Sequence, residues 1–319
     1  MSGLSKLFFK KIILAMAFGL LFILPFANAE EKSSIKSEPT LEQKLIDTNI
    51  EISNWFDGVA EGLDLFLVGK KLTNKKNESN IVVQNSSFVK ETEGFNNISS
   101  LNVNLRLPNL EEYWQLKFAS YDEENERRNV RSGYLRQTPR TKDYGASIGL
   151  FRKLGNVRTS FQPRISFQNR FRLSHLLRFE SVADLKTYKI NPRLEFYADA
   201  VKGPGMFWSL NFNFTVNDIW SLTLLNEANY EDKTHLYSAG NGFSIGQWVS
   251  PNATIDYALT FASLNQPSFH LDSYSASISW NQLIYKKILD YQLIPHVDFA
   301  KDQGFKGLMG LVFNLNLNF

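Results

Sequence analysis

Apolar and polar residues alternate with a period of two along most of the chain from about residue 80 onward. In the stretch 208–217, WSLNFNFTVN, every even position is aromatic or aliphatic and every odd one is Ser, Asn or Thr. The stretches 254–261 and 273–281 follow the same pattern. This alternation predicts β-strands that have one apolar and one polar face.

The length and the connections of these strands indicate how the sheet closes. The strands run for roughly 10–14 residues, longer than the five or six of most globular sheets. Tight connections at 154–156, 216–218 and 250–252 alternate with longer polar segments, predicted to be loops, at 122–142, 230–242 and 264–272. That arrangement is typical of a transmembrane barrel. A secreted β-sandwich is the alternative that alternation alone leaves open.

Fourteen candidate strands can be placed in this way. They lie at 81–90, 97–107, 112–121, 143–153, 157–168, 171–185, 188–200, 205–217, 219–230, 241–250, 253–263, 272–282, 289–299 and 306–319. The first has the weakest alternation, so a count of twelve also stays open. The predicted fold class is therefore all-β: a transmembrane antiparallel β-barrel of about 12–14 strands, with a short helical N-terminal periplasmic segment.

The helical segment is predicted from a change of period before residue 79. Between Leu41 and Val68, apolar residues recur every three, four or seven positions, which places them on one helical face. Gly58 and Gly62 interrupt the run, so one helix or two shorter ones would fit. This apolar stripe is a candidate partner-binding surface and consists of Leu45, Ile52, Phe56, Val59, Leu63 and Phe66.

The position of this segment has several interpretations. Residues 30–78 would pack under the barrel mouth, plug the lumen, bind a periplasmic protein, or lie on the inner leaflet as an amphipathic helix. Packing under the mouth is the simplest of these. We therefore treat 30–78 as a periplasmic helical and linker segment, and 79–319 as the barrel.

The first 29 residues have the features of a signal peptide. Three lysines lie within the first eleven residues, an apolar run follows from Ile12 to Phe26, and Ala27-Asn28-Ala29 is a small-x-small cleavage site. This order predicts export and a mature chain that begins at Glu30. An uncleaved membrane anchor is the alternative.

Composition narrows the classes of function. The chain has 35 basic and 32 acidic residues, and the three lysines of residues 1–29 account for the excess. A near-neutral mature chain gives no support for a nucleic-acid partner. It contains no cysteine, so disulfides and thiolate metal sites are excluded. Neither a metal nor a cofactor is predicted.

The last ten residues, GLVFNLNLNF, form an alternating strand that ends on the aromatic Phe319. With the export signal and the alternating strands, this ending resembles bacterial outer-membrane β-barrel proteins, a porin-like class of Gram-negative bacteria. The stretch RLPNLEEYWQLKF is similar to a strand pair in uncharacterised proteobacterial outer-membrane proteins, which brings no known activity. The resemblance implies contact with outer-membrane lipid and with the barrel-assembly machinery. It also implies that the assembly signal comprises Phe313, Leu315, Leu317 and Phe319.

In a membrane barrel, the polar parity of each strand lines the interior. On the strands from 157 to 200, the inward-facing positions are occupied by arginines and by acidic residues. The predicted lumen-lining residues are Arg158, Arg164, Arg170, Arg172, Arg178, Glu180, Arg193, Glu195 and Asp199. They would form either an internal salt-bridge network or an arginine ladder that lowers the barrier for anions. The opposite wall carries small neutral residues, Asn211, Asn213, Ser275, Ser277, Asn314 and Asn316, which favours a wet pore.

Catalytic chemistry has little support in the sequence. The chain has four histidines, and His175 points to the opposite face from its neighbour Ser174. His235 and His270 fall in predicted loops. Only His296 shares the inward parity with an acid, Asp298, on a strand next to one that carries inward serines. A Ser–His–Asp arrangement is conceivable there, but serine is also an ordinary lining of a wet lumen.

The segment that begins at Asp122 is rich in acids and has arginines at 127 and 128. We expect it to be a solvated external loop that pairs with itself rather than a calcium site. The predicted function is a passive, porin-like channel for small polar or anionic solutes, without enzymatic activity. The alternative is a non-enzymatic envelope component whose barrel anchors a helix that binds a periplasmic partner. An outer-membrane hydrolase is less favoured.

Overall fold

The computed structural model describes residues 41–68, 79–106, 114–128, 138–167, 171–199, 202–285 and 288–319. Within the first of these ranges, the side chains at 41, 42, 45 and 62–68 are not part of the description. The predicted signal peptide, Arg170 and the side chains of Leu45, Leu63 and Phe66 therefore lie outside the described residues.

The described chain is mostly β-strand. Its strands are β1 Asn80–Lys90, β2 Gly94–Arg106, β3 Trp114–Ala119, β4 Tyr144–Leu154, β5 Val157–Phe167, β6 Phe171–Ser181, β7 Ala183–Asp184, β8 Tyr188–Asp199, β9 Gly203–Thr215, β10 Trp220–Glu231, β11 Leu236–Ser250, β12 Ala253–Leu264, β13 His270–Tyr285, β14 Leu289–Ala300 and β15 Leu308–Asn318. Two helices accompany them, α1 Leu41–Val68 and α2 Glu123–Glu126, with a 3₁₀ turn at Lys301–Gln303.

The strands close into a barrel. Apart from the short β7, each strand pairs antiparallel with its neighbour in the chain, and β1 pairs with β15, so that Val83 lies opposite Leu317 and Val89 opposite Leu311. The short β7 extends β6 along β8 and adds no separate strand. The result is a closed barrel of fourteen antiparallel strands, which confirms the predicted fold class and decides against twelve.

The two parities of the strands separate as the alternation predicts. On β5, Phe161, Ile165 and Phe167 are 41%, 48% and 64% exposed on the outer face. On β15 the amides point inward, where Asn316 and Asn318 donate hydrogen bonds to Asp290. An even number of antiparallel strands with an apolar exterior and a polar interior is the architecture of an outer-membrane barrel. Among the described residues, no helix is long and apolar enough to cross a membrane.

The two ends of the barrel differ in their connections. We call the end with the connections 155–156, 216–219 and 251–252 the turn end; Phe319 also lies there. The other end, the loop end, has the connections 91–93, 120–143, 232–235, 265–269 and 301–307.

The long loops predicted at 230–242 and 264–272 are wrong. Strands β10 and β11 pair as far as Glu231 and Leu236, which leaves only 232–235 as a connection. The glycines of this stretch suit the sheet, because a Cβ on Gly242 would lie 2.8 Å from the carbonyl oxygen of Leu259. The polar and glycine residues of this stretch therefore belong to the ends of β10 and β11 rather than to a loop. The connection 120–143 is by far the longest that joins two of the strands.

Helix α1 is a single helix that runs through Gly58. The side-chain amide of Asn49 donates a 2.8 Å hydrogen bond to the backbone carbonyl of Asn318 at the turn end. Asn49 and Ala60 are buried, whereas Trp55 and Val59 are 65% and 42% exposed. The buried face of α1 therefore does not coincide with the predicted apolar stripe, because Val59 of that stripe is exposed.

Candidate functional site: the barrel interior

The start of the long β3–β4 connection lies inside the barrel. We call residues 120–128 the inner segment; it contains α2, which begins with Asp122 accepting a hydrogen bond from the backbone N–H of Asn125. The carboxylate of Glu123 accepts a hydrogen bond from Asn102 of β2 and lies 3.7 Å from Lys117 of β3. Contacts with the inner wall show that this segment fills part of the lumen.

The expectation of a solvated external loop that pairs with itself is wrong for these residues. The pair of Arg127 with Glu123, at 2.5 Å, is internal to the segment. Other acids of the segment contact the wall instead: Glu124 binds Arg178 of β6, and Asp122 lies 3.8 Å from Arg164 of β5. The inward basic residues attract the acids because buried charges need partners.

Three arginines converge on one buried carboxylate. Glu195 on β8 is fully buried and accepts hydrogen bonds from Nε of Arg178 at 2.5 Å, Arg193 at 2.7 Å and Arg128 at 2.9 Å. The register of β6 and β8 places Arg178 directly opposite Glu195. Cross-strand pairing therefore builds the centre of this cluster, and Arg128 ties the inner segment to it.

Glu124 is the second carboxylate of the cluster and lies outside the spanning strands. Burial alone would raise its pKa, but Arg178, Arg127, Lys117 and Arg193 outweigh that effect and lower the pKa of Glu124 to about 2. A carboxylate with this pKa is ionised at neutral pH. The inner segment is therefore bound to the wall by charged hydrogen bonds.

Arg164 forms a second link between the wall and the connection. Its guanidinium donates to the carboxylate of Asp143 at 2.8 Å and to the backbone carbonyls of Asp143 and Tyr121. Gly145 permits this position, since a Cβ there would lie within 3 Å of three guanidinium atoms. Arg140, farther along the connection, donates to Glu126, to Gln84 of β1 and to Ser100 of β2.

A cavity of about 430 Å³ opens below this network at the turn end. Its charged lining residues are Lys153, Arg158, Arg193 and Glu180, and Asn156, Asn191, Ser209 and Asn211 add neutral polar groups. Arg158 and Glu180 are partly exposed and lie 3.7 Å apart. We call this cavity the turn-end vestibule. On the other side of the cluster, a space of about 30 Å³ lies between the inner segment and the wall.

The opposite wall is less polar than expected. Ser275, Ser277 and Asn314 are buried there, in agreement with a small neutral lining. The inward parity also carries an apolar cluster of Phe88, Ala258, Ile294 and Val312. This cluster could have been predicted from the sequence, because Phe88 and Val312 are apolar residues at positions where their strands otherwise carry polar ones. In the structure these two residues lie opposite each other.

His296 does not form a catalytic arrangement with its neighbours. It lies opposite Ser277 in the β13–β14 register, and its Nε2 is 3.7 Å from a carboxylate oxygen of Asp298. The Ser277 hydroxyl has no hydrogen-bond partner in the described part of the chain, so the nucleophile–base contact that a triad requires is not formed. Lys90 lies 3.3 Å from Asp298 and gives that carboxylate a structural role. The absence of enzymatic activity stays a prediction.

Two further predicted lumen residues, Arg172 and Asp199, lie outside the cluster around Glu195. Arg172 is half-buried on β6 opposite Ser166, and Asp199 accepts a hydrogen bond from the backbone N–H of Lys202 at the loop end. Sequence reasoning missed Lys117, Glu124, Arg140 and Asp143 as interior residues. Lys117 lies on a strand of only six residues, and the other three lie in a connection without periodicity.

No protein-family model matches the chain, and no curated protein matches it. Solved structures similar to it include the outer membrane channel DcaP of Acinetobacter baumannii, at 8% identity and a TM-score of 0.47, covering 78% of this chain and 99% of that one. OmpT of Vibrio cholerae lacking loop L8, an outer membrane protein, is 5% identical with a TM-score of 0.47 and coverage of 76% and 99%. The KdgM porin in complex with disordered oligogalacturonate is 8% identical with a TM-score of 0.38 and coverage of 75% and 99%. Likenesses at this level set neither family nor activity, and the barrel class rests on the topology described above.

Proposed function

We propose that this outer-membrane barrel is a passive, porin-like channel for small polar solutes, with a preference for anions. The observation that carries the proposal is the turn-end vestibule, where Lys153 and Arg158 lie with a single carboxylate, Glu180; the third basic residue of the lining, Arg193, is paired with Glu195. Positive charge on a polar wall lowers the electrostatic barrier for anions.

The vestibule, rather than the buried cluster, supplies this preference. Arg178 is buried and bound to two carboxylates, so its charge is balanced within the wall. The Arg158 side chain is 55% exposed and its ion pair with Glu180 is loose, at 3.7 Å. The proposal therefore combines the two interpretations of the inward arginines: a salt-bridge network at the inner segment, and an anion-attracting surface at the turn end.

The size limit follows from the inner segment. A barrel with this number of strands lies between small barrels filled by side chains and wide porins with an aqueous channel. The inner segment narrows it further on the side of β5, β6 and β8. Small solutes are therefore the proposed cargo.

Single-channel recording in a planar bilayer with a salt gradient tests the proposal. We expect discrete conductance steps. We also expect a reversal potential whose sign indicates that anions permeate better than cations. The Lys153→Glu/Arg158→Glu variant should shift the reversal potential toward cations. A pure, folded barrel that gives no conductance, or a wild type that prefers cations, would contradict the proposal.

The matched control is Lys301→Glu/Lys306→Glu, which makes the same change of charge at the loop end. Both lysines are exposed in the 301–307 connection. At about 0.1 M salt the screening length is about 10 Å, so charges at the far end act weakly on the vestibule. An equal shift in both variants would show that net charge, and not the vestibule, sets selectivity.

A second candidate function is a barrel that anchors α1 for a periplasmic partner protein. The exposure of Trp55 and Val59, on a helix bonded to the end of β15 through Asn49, favours it. The stripe variant Phe56→Asp/Val59→Asp should then lose a protein that co-purifies with the intact chain. An exposed polar control, Asp47→Asn/Glu51→Gln, should retain it. Conductance without such a protein would favour the channel.

A further inference from the structure

Four polar side chains form a hydrogen-bonded group on the outer surface of β1 and β2. Asn85 donates through Nδ2 to Oδ1 of Asn97 at 3.1 Å and to the hydroxyl of Ser99 at 2.9 Å. Asn97 donates in return to Oδ1 of Asn85 at 2.9 Å and to the hydroxyl of Ser87 at 2.8 Å. We call Asn85, Ser87, Asn97 and Ser99 the outer polar patch.

The register shows that this patch faces outward. Asn85 lies opposite Leu315 of β15, and Ser87 lies opposite Phe313, both on the apolar parity of the last strand. The alternate residues of β1 and β2 point into the lumen, where Arg140 binds Gln84 and Ser100. The patch therefore lies among residues that contact lipid.

Apolar side chains surround the patch on the same face. Val83, Phe95 and Leu101 are 37%, 59% and 43% exposed. Asn85 lies in the middle of β1, which runs from Asn80 to Lys90, so the patch is at membrane depth rather than at a barrel end. Both strands thus have the apolar exterior of a membrane barrel, interrupted at its centre by polar groups.

Lipid tails cannot satisfy these groups. The two amides use their N–H groups within the patch, but each serine hydroxyl accepts one bond and keeps its own hydrogen for another acceptor. Polar groups inside the hydrocarbon layer are expensive without partners, and in membranes Ser and Asn side chains commonly hydrogen-bond across protein–protein contacts. The chemistry of the patch fits a protein surface with polar groups at the same depth.

We propose that the outer polar patch is the contact between copies of this chain in a homo-oligomer. Copies inserted in the same direction carry the patch at the same depth, so a two-fold axis normal to the membrane brings patch against patch. The serine hydroxyls of one copy then meet the amide oxygens of the next. Phe95 and Leu101 supply an apolar rim for packing. This inference does not depend on whether the barrel conducts.

A second polar pair on the lipid face provides a matched control. Asn241 donates to Oδ1 of Asn226 at 3.1 Å, and Asn226 donates to the backbone carbonyl of Leu210 at 3.2 Å. These residues lie on β10 and β11, nearly opposite β1 and β2 in the strand order. This pair also consists of two hydrogen-bonded asparagines on the outer face, but it has no hydroxyl groups.

Disulfide cross-linking in native membranes tests the contact directly. The chain has no cysteine, so one introduced thiol reports on one position. Oxidation of the Asn97→Cys variant should yield a covalent dimer as the main product. The Asn241→Cys variant should remain monomeric under the same conditions. No dimer with Asn97→Cys, or equal yields from both variants, would overturn the proposal.

The native mass in mild detergent gives a second measure. The wild type should have the mass of two barrels, and Asn85→Leu/Asn97→Leu should have the mass of one. Asn226→Leu/Asn241→Leu should keep the wild-type mass, and a heat-dependent shift in gel mobility should show that each variant is folded. A monomeric wild type, or an oligomer insensitive to the patch, would overturn the proposal. If the leucine variant does not fold, the cysteine variants decide.

Discussion

The carboxylate of Glu124 binds the guanidinium of Arg178, and the same guanidinium binds Glu195 on the neighbouring strand β8. One arginine thus joins the inner segment, β6 and β8. Glu124 belongs to a connection and Glu195 to a strand, so the first contact can be released without opening the sheet. This contact is one of several that hold the inner segment against the wall.

Glu124→Gln should loosen the inner segment. A hydrogen bond to a charged group contributes about 1.5–3 kcal/mol, and about 1.4 kcal/mol corresponds to a tenfold change in population. We therefore expect at least a tenfold increase in backbone amide exchange within 120–128, together with larger conductance steps. Hydrogen exchange measured by mass spectrometry checks the first expectation and single-channel recording the second.

Asp232→Asn is the matched control for that variant. It removes one negative charge from the exposed 232–235 connection at the loop end. Exchange in 120–128 should stay at the wild-type rate. Unchanged exchange in Glu124→Gln would show that other contacts of the segment hold it without help from Arg178.

The contact of Glu124 also predicts a dependence on pH. The pKa of this carboxyl is lowered from 4.5 to about 2, so the ionised form is favoured by the inward position. The stabilisation is complete above pH 4.5 and is lost as the pH falls toward 2. Exchange in 120–128 should therefore be constant between pH 7 and 5, after correction for the intrinsic rate, and rise below 4.5. The rise should be smaller in Glu124→Gln, which lacks this titrating carboxyl but keeps the other ion pairs of the segment, and a rise already at pH 6 would contradict the assignment.

Glu195→Gln should destabilise the whole barrel. Loss of its charge leaves Arg178, Arg193 and Arg128 without their common carboxylate, and breaking a buried ion pair costs about 3–5 kcal/mol. Glu180→Gln, one strand away, removes a partly exposed carboxylate and should cost about 1 kcal/mol or less. Denaturant unfolding from lipid vesicles measures both. Equal effects would mean that burial does not set the strength of these pairs.

The sequence predicted the sheet well because one physical rule acts on every strand. A side chain in a closed barrel faces either lipid or lumen, so parity alone places Phe161 outside and Arg178 inside. The 230–242 stretch is an exception: its glycines and polar residues are typical of a loop, although strand pairing continues through all of it except 232–235. Residue composition is therefore a poor guide in this stretch, because the backbone hydrogen bonds between β10 and β11 form whatever the side chains are.

The inner segment could not be placed in the same way. Residues 120–128 have no periodicity, and their position depends on charges that lie far away in the sequence, such as Arg178 and Glu195. The sequence predicted these arginines and acids on the strands but could not pair them with a connection. The outer polar patch was hidden for another reason: β1 has weak alternation, and only its register with Leu315 shows which face the asparagine occupies.

Gly310 on β15 should tolerate no side chain while His296 is present. A Cβ at Gly310 would overlap the imidazole of His296, which is buried and has little room to move. Overpacking of this kind costs about 1–3 kcal/mol, so Gly310→Ala should lower the unfolding free energy by that amount.

A double-mutant cycle separates this steric effect from an effect on the strand itself. Alanine at 296 removes the overlapping ring, so His296→Ala/Gly310→Ala should be more stable than the sum of the two single changes predicts. If the two changes in unfolding free energy are additive, the destabilisation by Gly310→Ala does not come from contact with His296.

Phe319 should act in assembly and contribute little to the stability of the finished barrel. Its backbone N–H donates to the backbone carbonyl of Ile81 at the seam between β15 and β1, a bond that any residue except proline can make. If the aromatic side chain is read by the barrel-assembly machinery, Phe319→Ala should lower the amount of folded protein in the outer membrane several-fold. The same variant refolded into lipid vesicles should have nearly the wild-type stability. Phe319→Trp keeps an aromatic end and should assemble normally. Equal losses in cells and in vesicles would instead assign Phe319 to the packing of the seam.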